Sequence, residues 1–533
     1  MLTAGLPAVA VAATAPEPSA AASASAGDEA QPVQRLFINE YRVEGINLLS
    51  QMEVEEAVYP FLGPDRTAED VEKARAALEQ AYFQKDYQTV AVSIPPQQVK
   101  DGVVVLQVTE AKVGRLRVKG SRYFSLDQIK EQAPSLAEGT VPNFSKVTED
   151  IVALNQIPDR RVTPALRAGA APGTVDVDLN VEDTFPLHGS LELNNRRSKD
   201  TTRHRVNASL RYDNLWQLGH SLNLGYQVAP ERPDDAQVFS ASYLARIPSI
   251  PSLSLLAYGV KQNSDVATLG GINVVGRGEI LGARALYTLP NTPGFFHTLN
   301  VGIDYKHFDE GVSLSGEKLD IPITYYPVTA SYGATWQDEE AVTQVNAGVT
   351  SHFRGLGSDT EAFDMKRYKS NGSFIYFRGD ASHTRELPGD AQVFGKVQGQ
   401  LANKPLVSSE QISAGGLDTV RGYFESQALG DNGVIGSIEL RSPSLPGAFG
   451  LGSELPFINE WRVYAFAEGA ALSIHEPLEE QKSSFNLASV GVGSRMKLLD
   501  YLNGSVDLGF PLVKQDDTKA YDPHLTFRLW GEF

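Results

Sequence analysis

The sequence predicts a mixed fold in which two small α/β modules precede a transmembrane antiparallel β-barrel of about 16 strands. Apolar and polar residues alternate with a period of two over roughly the last 350 residues, as expected for strands that face lipid on one side and a lumen on the other. Before this region a pattern recurs after about 75 residues, a period too long for a solenoid repeat. The last strand keeps its alternation up to Phe533.

The composition agrees with a barrel. The chain has 533 residues, too many for one ordinary core. No stretch approaches the ~18 consecutive apolar residues of a membrane-spanning helix, so a membrane-spanning form of this chain must be a closed barrel. The chain has no cysteine and a net charge of −18. These values exclude disulfide and thiolate chemistry and argue against a nucleic-acid partner, because no basic stripe stands out.

The first 34 residues are expected to lie outside both modules. Residues 2–13 form a short apolar stretch typical of the end of a signal peptide, although no Lys or Arg precedes it. Residues 14–32 are rich in Ala, Ser, Pro, Glu and Gly, a composition that cannot build a core. We therefore expect residues 1–34 to be a signal-like remnant followed by a disordered linker, with the true start and cleavage site left open.

Two copies of one pattern follow the linker. Each copy has a β run that ends at a glycine and then a capping pair that opens a helix. These elements are residues 41–45 with Ser50 and Glu53 in the first copy, and residues 116–120 with Ser125 and Gln128 in the second. A second helix and two β segments complete each copy. The sequence thus predicts two β-α-α-β-β modules, at residues 35–111 and 112–183, with an unrelated small α/β fold as the alternative.

Residues 184–533 are predicted to form the barrel. Val206, Leu210 and Tyr212, for example, alternate with Asn207 and Arg211. One such strand would also suit a soluble sheet, but a soluble sandwich would not need so many. We expect residues 229–236 and 308–319 to be loops or turns, and residues 213–219 to be a tight hairpin turn.

The final strand carries a signal of its own. Leu525, Phe527, Leu529 and Phe533 share one face, and polar residues and Trp530 occupy the other. Termini tend to fray, so a strand used up to its last aromatic residue is unusual in a soluble protein. We expect Phe533 to act as a C-terminal barrel signal.

One predicted loop segment contains a motif that indicates a function. Residues 412–423 lie between two strand-like regions and contain Val420, Arg421, Gly422 and Tyr423. This Val-Arg-Gly-Tyr element resembles the hallmark of the sixth extracellular loop in the transporter superfamily that joins POTRA domains to a 16-stranded barrel. The order of elements in the two modules and the Pro-Pro-Gln-Gln turn at residues 95–98 resemble POTRA domains.

With two POTRA-like modules, the chain resembles the ShlB/FhaC/HecB family, the TpsB transporters of two-partner (type V) secretion. The resemblance implies that the loop folds into the lumen, where Arg421 meets an acidic residue on the barrel wall. In the family that residue belongs to a Phe-x-Asp-x-Gly motif, which Phe466 and Glu468 match approximately. An Arg can bind a carboxylate through two donors, Gly422 permits a close turn, and Tyr423 adds a packed ring. The alternative is a surface Arg in an ordinary loop.

The resemblance also implies a location and partners. The barrel would lie in the outer membrane of a Gram-negative bacterium, with the modules in the periplasm. Its client would be an unfolded secreted exoprotein of the haemolysin, adhesin or toxin type, transported without ATP. Outer-membrane lipid and, during biogenesis, the barrel assembly machinery would be further partners. The family usually has an N-terminal plug helix, but no amphipathic helix is visible before Leu36.

The sequence favours a transporter over an enzyme. It contains no nucleophile elbow, metalloprotease helix, Walker loop or dinucleotide fingerprint, so we predict no catalytic residue, cofactor or metal. Two other functions stay open: an insertase for outer-membrane proteins, whose known forms carry more POTRA copies, and a passive porin, which would need neither the modules nor the loop motif.

Overall fold

The computed structural model describes residues 35–263, 266–269, 272–275, 277–309, 311–314, 317–450 and 456–533. The predicted signal-like remnant and linker, and any plug helix, fall outside these residues. No helix within them is long and apolar enough to cross a membrane.

The first module contains five strands and two helices, with a short 3-10 turn at Tyr59–Phe61. In chain order they are β1 (Leu36–Ile38), β2 (Glu40–Glu44), α1 (Gln51–Val58), β3 (Gly63–Arg66), α2 (Ala68–Phe83), β4 (Val90–Ser93) and β5 (Val103–Glu110). Strand β5 lies between β2, which is parallel to it, and β4, which is antiparallel. Both helices begin at capping boxes, Ser50 with Glu53 and Thr67 with Asp70, which satisfy free backbone amides of the first turn.

A buried carboxylate closes the core of this module. Glu110 accepts hydrogen bonds from the backbone amides of Asn47 and Leu48, at 2.8 and 2.9 Å, and from the Tyr82 hydroxyl at 2.9 Å. Burial alone would raise the pKa of Glu110, but these donors outweigh burial and hold the pKa below its ordinary value. The same contact and burial raise the pKa of Tyr82 well above its usual range. The pair ties helix α2 to the end of β5.

The second module repeats the order of elements. It contains β6 (Lys112–Lys119), α3 (Leu126–Glu131), a 3-10 turn at Pro134–Leu136, α4 (Phe144–Leu154), β7 (Arg160–Ala168) and β8 (Thr174–Asp183). Its sheet has the order β6-β8-β7. Ser125 caps α3 by accepting a hydrogen bond from the Gln128 amide, as the repeat predicts. The β-α-α-β-β order is therefore present twice, and the first module has two additional strands, β1 and β3, that pair with each other.

The remaining strands are numbered in chain order. They are β9 (Leu187–Asn194), β10 (Arg205–Leu215), β11 (His220–Val228), β12 (Gln237–Arg246), β13 (Leu253–Asn263), β14 (Val266–Leu269), β15 (Ile272–Val275), β16 (Gly278–Thr288), β17 (Phe295–Phe308), β18 (Gly311–Leu314), β19 (Glu317–Asp320), β20 (Ile323–Tyr325), β21 (Val328–Gln337), β22 (Ala341–His352), β23 (Phe374–Leu387), β24 (Ala391–Ala402), β25 (Ile412–Ala414), β26 (Ala428–Gly430), β27 (Asn432–Arg441), β28 (Ile458–Ser473), β29 (Ser484–Leu498), β30 (Leu502–Pro511) and β31 (His524–Glu532). Helices α5 (Thr360–Lys366) and α6 (Leu445–Ala448) and 3-10 turns at Pro233–Asp235 and Ser408–Glu410 lie in the connections.

Seventeen of these segments form one closed antiparallel barrel, which β31 completes by pairing with β9. Segments β20 and β21 both pair with β17, on either side of Pro327, which has no amide hydrogen to give to the ladder. They therefore count as one interrupted strand, and the barrel has 16 strands. The predicted fold class is confirmed.

The alternation in the sequence becomes the two faces of the barrel. Apolar side chains of one set point outward and stay exposed, such as Leu281, Ile438 and Val492, as a lipid-facing surface requires. The other set points inward and is rich in polar groups. Most connections at one end of the barrel are short turns, whereas those at the other end are longer; the exception at the first end is residues 442–457 between β27 and β28, which contain α6.

The predicted loop at residues 308–319 is only partly a loop. Strand β17 extends to Phe308, and β18 pairs with β19 in a small hairpin beyond it. Strands β18 and β19 have only four residues each, and an alternation that short cannot be distinguished from a turn in the sequence. Residues 229–236 are a connection, as predicted. The predicted turn at residues 213–219 is shorter in the structure, because β10 continues to Leu215 and the turn between β10 and β11 is formed by residues 216–219.

Candidate functional site

The sixth long connection, residues 403–431 between β24 and β27, is here named L6. Strands β25 and β26 pair with each other and form the stem of a hairpin. The segment between them carries residues 420–423 at its tip, and Val420 and Tyr423 are almost completely buried. A loop that buries its tip is packed against the protein rather than extended into solvent.

Arg421 is the centre of the tip. Its Nε and Nη2 donate to Glu468 Oε1 at 2.9 and 2.5 Å, and its backbone amide donates to Glu468 Oε2 at 2.6 Å. Nη1 lies 2.8 Å from Asp507 Oδ1, and Nη2 lies 2.8 Å from Glu439 Oε1. The guanidinium carbon also lies 3.5 Å from the ring centre of Phe466. The three nitrogens of one guanidinium thus contact three carboxylates, while its flat face lies on an aromatic ring.

The three carboxylates come from three wall strands, β27, β28 and β30. Each is only 3 % exposed, and each has additional partners. Glu439 binds Arg441 at 2.7 Å and Arg495 at 3.3 Å.

Asp507 accepts a hydrogen bond from the Tyr464 hydroxyl at 2.8 Å, and Glu468 accepts one from Ser437 at 3.0 Å. Among the described residues, Arg421 is the one cation within salt-bridge distance of Glu468 and also of Asp507. These two carboxylates therefore depend on Arg421 more than Glu439 does, because Glu439 has two further arginines.

Two glycines let the loop backbone touch the wall. Gly422 has a φ of +95°, a conformation that favours glycine. Opposite it, a Cβ added to Gly509 of β30 would lie 2.6 Å from the Gly422 nitrogen and 2.9 Å from the Arg421 carbonyl carbon. The tip and the wall therefore fit only because neither position has a side chain.

Tyr423 and Val420 fix the tip on its other side. The Tyr423 hydroxyl donates to the backbone carbonyl of Val513 at 2.7 Å and lies 3.0 Å from that of Ala488. Val420 belongs to an apolar cluster of L6 and the inner wall that also contains Leu472 and Leu487. Polar and apolar contacts together seat the motif in the lumen.

The structure brings most of the sequence-predicted site residues together. The residues assembled here are Val420, Arg421, Gly422, Tyr423, Phe466 and Glu468. Sequence reasoning missed Glu439, Asp507 and Gly509. Glu439 lies between outward-facing Ile438 and Leu440, so a carboxylate in the inward set of a strand was the available signal.

Phe533 lies elsewhere, at the barrel closure. Its backbone amide donates to the Gly189 carbonyl at 3.0 Å, and the Gly189 amide donates back at 3.2 Å. Its ring covers Gly189, where an added Cβ would meet it at 2.5 Å. The residue thus extends the closure between the first and last strands.

One group among the described residues has spacing suited to a metal: Asp159, His188 and Asp213, whose ligand atoms lie within 4.8 Å of one another. His188 Nε2 lies 2.8 Å from Asp159 Oδ1, and Arg211 Nε lies 2.7 Å from Asp213 Oδ2. Because a guanidinium already neutralises one of the two carboxylates, the group is explained as a hydrogen-bonded ion cluster.

Two family models match the chain. The model described as haemolysin secretion/activation protein ShlB/FhaC/HecB matches residues 173–496, and the model of a ShlB-type POTRA domain matches residues 36–111. The first match spans L6 and most of the barrel, and the second spans the first module.

Individual proteins are also similar to this chain over most of its length. The outer membrane transporter CdiB of Dickeya dadantii is 21 % identical over 89 % of this chain and 82 % of that protein. The heme/hemopexin transporter protein HuxB of Haemophilus influenzae is 22 % identical over 72 % of this chain and 67 % of that protein. The structure of CdiB from Escherichia coli superposes with a TM-score of 0.67 at 19 % identity, covering 96 % of this chain and 93 % of that one. The last likeness concerns the fold.

Proposed function

The chain belongs to the haemolysin secretion/activation family ShlB/FhaC/HecB, and from this membership we propose how its parts share the work of secretion. It is an outer-membrane transporter of two-partner secretion, which passes a secreted partner exoprotein across the outer membrane of a Gram-negative bacterium. Its POTRA domain lies on the periplasmic side.

We propose that Arg421 holds L6 in the position that transport requires. The observation that carries this proposal is the burial of one guanidinium among three wall carboxylates, two of which, Glu468 and Asp507, have no other cation in the described part of the chain. A charged group that contacts three strands ties the loop to the wall while leaving it free to move as one piece when those contacts break. The barrel itself does not need the contact, because its closed ladder satisfies the backbone.

We propose that residues 35–111 and 112–183 are two POTRA domains that capture the unfolded exoprotein, and that residues 184–533 form the barrel that conducts it. In the first domain, β2 and β4 are the outer strands of the sheet, so their free edges can pair with an extended client segment. Met52 and Tyr59 on α1 and the adjoining turn are large and well exposed, which offers apolar contacts to an unfolded chain.

Two further partners follow from the barrel. Outer-membrane lipid contacts the exposed apolar residues of the outward face. The barrel assembly machinery acts on the last strand during biogenesis, with Phe533 as its terminal signal. The client is a large exoprotein of the haemolysin, adhesin or toxin type.

Secretion in cells tests the proposal. A heterologous Gram-negative host would express the transporter with a large exported protein encoded beside it, and an immunoblot of the medium would measure secretion. We expect secretion with the full chain, and strongly reduced secretion with Arg421→Ala at equal barrel level. Normal secretion by Arg421→Ala would contradict the role of L6.

Experiments in the same host also distinguish the transporter from the two alternatives, an insertase and a passive porin. An insertase would raise the assembled level of other outer-membrane proteins and leave the exoprotein in the periplasm. A passive porin would increase solute uptake and would bind no client. Neither result is expected.

A further inference from the structure

A second arginine contacts L6 from a different part of the barrel. The connection after β9, residues 195–204, is here named L1. Arg196 of L1 donates through Nε to Glu425 Oε1 at 2.9 Å and through Nη2 to Asp418 Oδ2 at 2.6 Å. Its side chain is only 11 % exposed, and that of Glu425 is 10 % exposed. The Arg196–Glu425 pair is therefore buried, whereas Asp418 lies at the edge of the cluster with 45 % of its side chain exposed.

The two carboxylates flank the tip of L6. Asp418 precedes residues 420–423, and Glu425 follows them, so one guanidinium joins the two arms of the loop. In the described part of the chain, neither carboxylate has a second ion pair. Glu425 also accepts a hydrogen bond from the Leu417 amide at 3.2 Å, which closes the arms on each other.

The neighbouring contacts extend this attachment across the closure of the barrel. The Arg197 carbonyl accepts a hydrogen bond from the Glu425 amide at 3.0 Å. The Phe424 ring lies between two groups: the Arg197 guanidinium at 5.2 Å, and the ring of His524 at 5.3 Å in an edge-on arrangement. His524 begins β31, and Arg197 follows β9. L6 therefore contacts the start of the last strand and the connection that follows the first strand.

The pairing of β31 with β9 closes the barrel, and it is short enough for an additional contact to contribute to its stability. Strand β31 pairs with β9 over five residues, whereas β10 pairs with β9 over eight. A shorter ladder has fewer hydrogen bonds to hold it, so a loop that contacts both β31 and the connection after β9 adds to the closure.

We infer that Arg196 is a second positioning residue for L6. Arg196 holds the two arms of the loop near the closing strands, while Arg421 holds the tip against carboxylates of β27, β28 and β30. The inference rests on the proposed function of L6 in secretion. The two arginines act on different residues: Arg421 on carboxylates of the wall strands, and Arg196 on carboxylates of L6 itself. Loss of Arg196 leaves Asp418 and Glu425 close together without their cation, so the arms separate.

Thiol labelling tests the position of L6 without any client. The chain has no cysteine, so Val420→Cys introduces a single thiol at a site that is buried in the seated loop. The full-length barrel, purified and reconstituted in liposomes, would be treated with a membrane-impermeant maleimide. We expect Arg196→Ala to speed labelling at position 420 by roughly tenfold or more. Arg196→Lys should give an intermediate rate, because an ammonium keeps the charge but loses the fork.

Arg203→Ala is the matched control. Arg203 lies in the same loop, carries the same charge and is exposed. We expect its labelling rate to equal that of the parent. A second variant guards against poor folding of Arg196→Ala: Asp418→Asn with Glu425→Gln keeps the arginine but removes its partners, and it should also speed labelling. If both variants label as slowly as Arg203→Ala, Arg196 does not position L6 and the inference is wrong.

A secretion assay then tests whether the position of L6 affects transport. We expect Arg196→Ala to secrete the exoprotein several-fold less than Arg203→Ala at equal barrel level, with partial rescue by Arg196→Lys. If Arg196→Ala labels rapidly yet secretes normally while Arg421→Ala fails to secrete, the second attachment is not needed for transport and that part of the inference is overturned. If Arg421→Ala also secretes normally, the proposed function of L6 is what fails.

Discussion

Replacing Arg421 with Ala should unseat the tip of L6 without unfolding the barrel. The change removes the donors to Glu439, Glu468 and Asp507 at once. Their losses differ, because Glu439 keeps Arg441 and Arg495, whereas Glu468 and Asp507 each lose their one cation in the described part of the chain. Glu468 then keeps Ser437 and the backbone amide of position 421, and Asp507 keeps the Tyr464 hydroxyl.

The magnitude follows from that difference. Removing one partner of a buried ion pair costs about 3–5 kcal/mol, chiefly through the charge left behind. Glu468 and Asp507 are the charges left behind, and each side chain is 3 % exposed. At 1.4 kcal/mol per factor of ten, the unseated state should gain between about a hundredfold and a few thousandfold. Arg421→Lys should recover only part of this, since a lysine cannot serve three carboxylates and lie flat on Phe466.

A double-mutant cycle measures the coupling. Secretion rate and labelling of Val420→Cys would be compared for Arg421→Ala, Glu468→Gln and the double variant. We expect the double variant to be no worse than Arg421→Ala alone, because Glu468→Gln removes one of the charges that the first change left unpaired. Additive effects would mean that the two residues do not act as a pair.

An ion pair outside L6 supplies the control. Arg284 and Asp304 on the inner wall pair at 2.7 Å and are about as buried as the L6 site. Arg284→Ala therefore removes a buried cation without touching L6. If it unseats L6 as much as Arg421→Ala does, the reasoning from local contacts is refuted.

Four further predictions concern other parts of the chain. Deleting Phe533 should lower the assembled level of barrel in cells, measured by heat-modifiable migration; an unchanged level would count against a terminal signal. Removing residues 36–182 should abolish secretion yet leave a conducting pore in planar bilayers. Gly509→Ala should unseat the L6 tip by steric contact, whereas Gly504→Ala on the same strand, where an added Cβ has no neighbour closer than 3.9 Å, should not. Tyr82→Phe should destabilise the first module by about 1.5–3 kcal/mol in thermal unfolding, because the hydroxyl bonds a carboxylate. That contribution should be present at neutral pH, above the unfolded-state pKa of Glu110, and should vanish as pH falls through its depressed folded-state pKa.

Much of the fold follows from local pattern. Period-two alternation places Leu529 outside and Thr526 inside without reference to any other strand, so the barrel could be predicted residue by residue. The capping pairs of the modules are equally local, since Ser50 and Glu53 lie within one helical turn. The interruption at Pro327 was also accessible in principle, because proline cannot donate to a ladder.

The site depends on distances along the chain that local pattern does not encode. Arg421 reaches Glu439, Glu468 and Asp507 on three strands, and only the resemblance to a known motif pointed to one of them. Arg196 lies more than two hundred positions before Glu425, and nothing in their surroundings links them. Register and closure bring these groups together, and both are properties of the whole barrel.

Reconstituted transport is the most direct test of the account. Liposomes carrying the full-length transporter would receive an unfolded exoprotein segment from outside, with ATP absent, and protease would then digest what remains accessible. We predict that transported segment is protected inside, that protection is lost in protein-free liposomes, and that Arg421→Ala reduces it strongly while Arg284→Ala does not. A barrel that conducts ions but protects no exoprotein, or equal protection with Arg421→Ala, would contradict the claim that an arginine-seated L6 serves protein secretion.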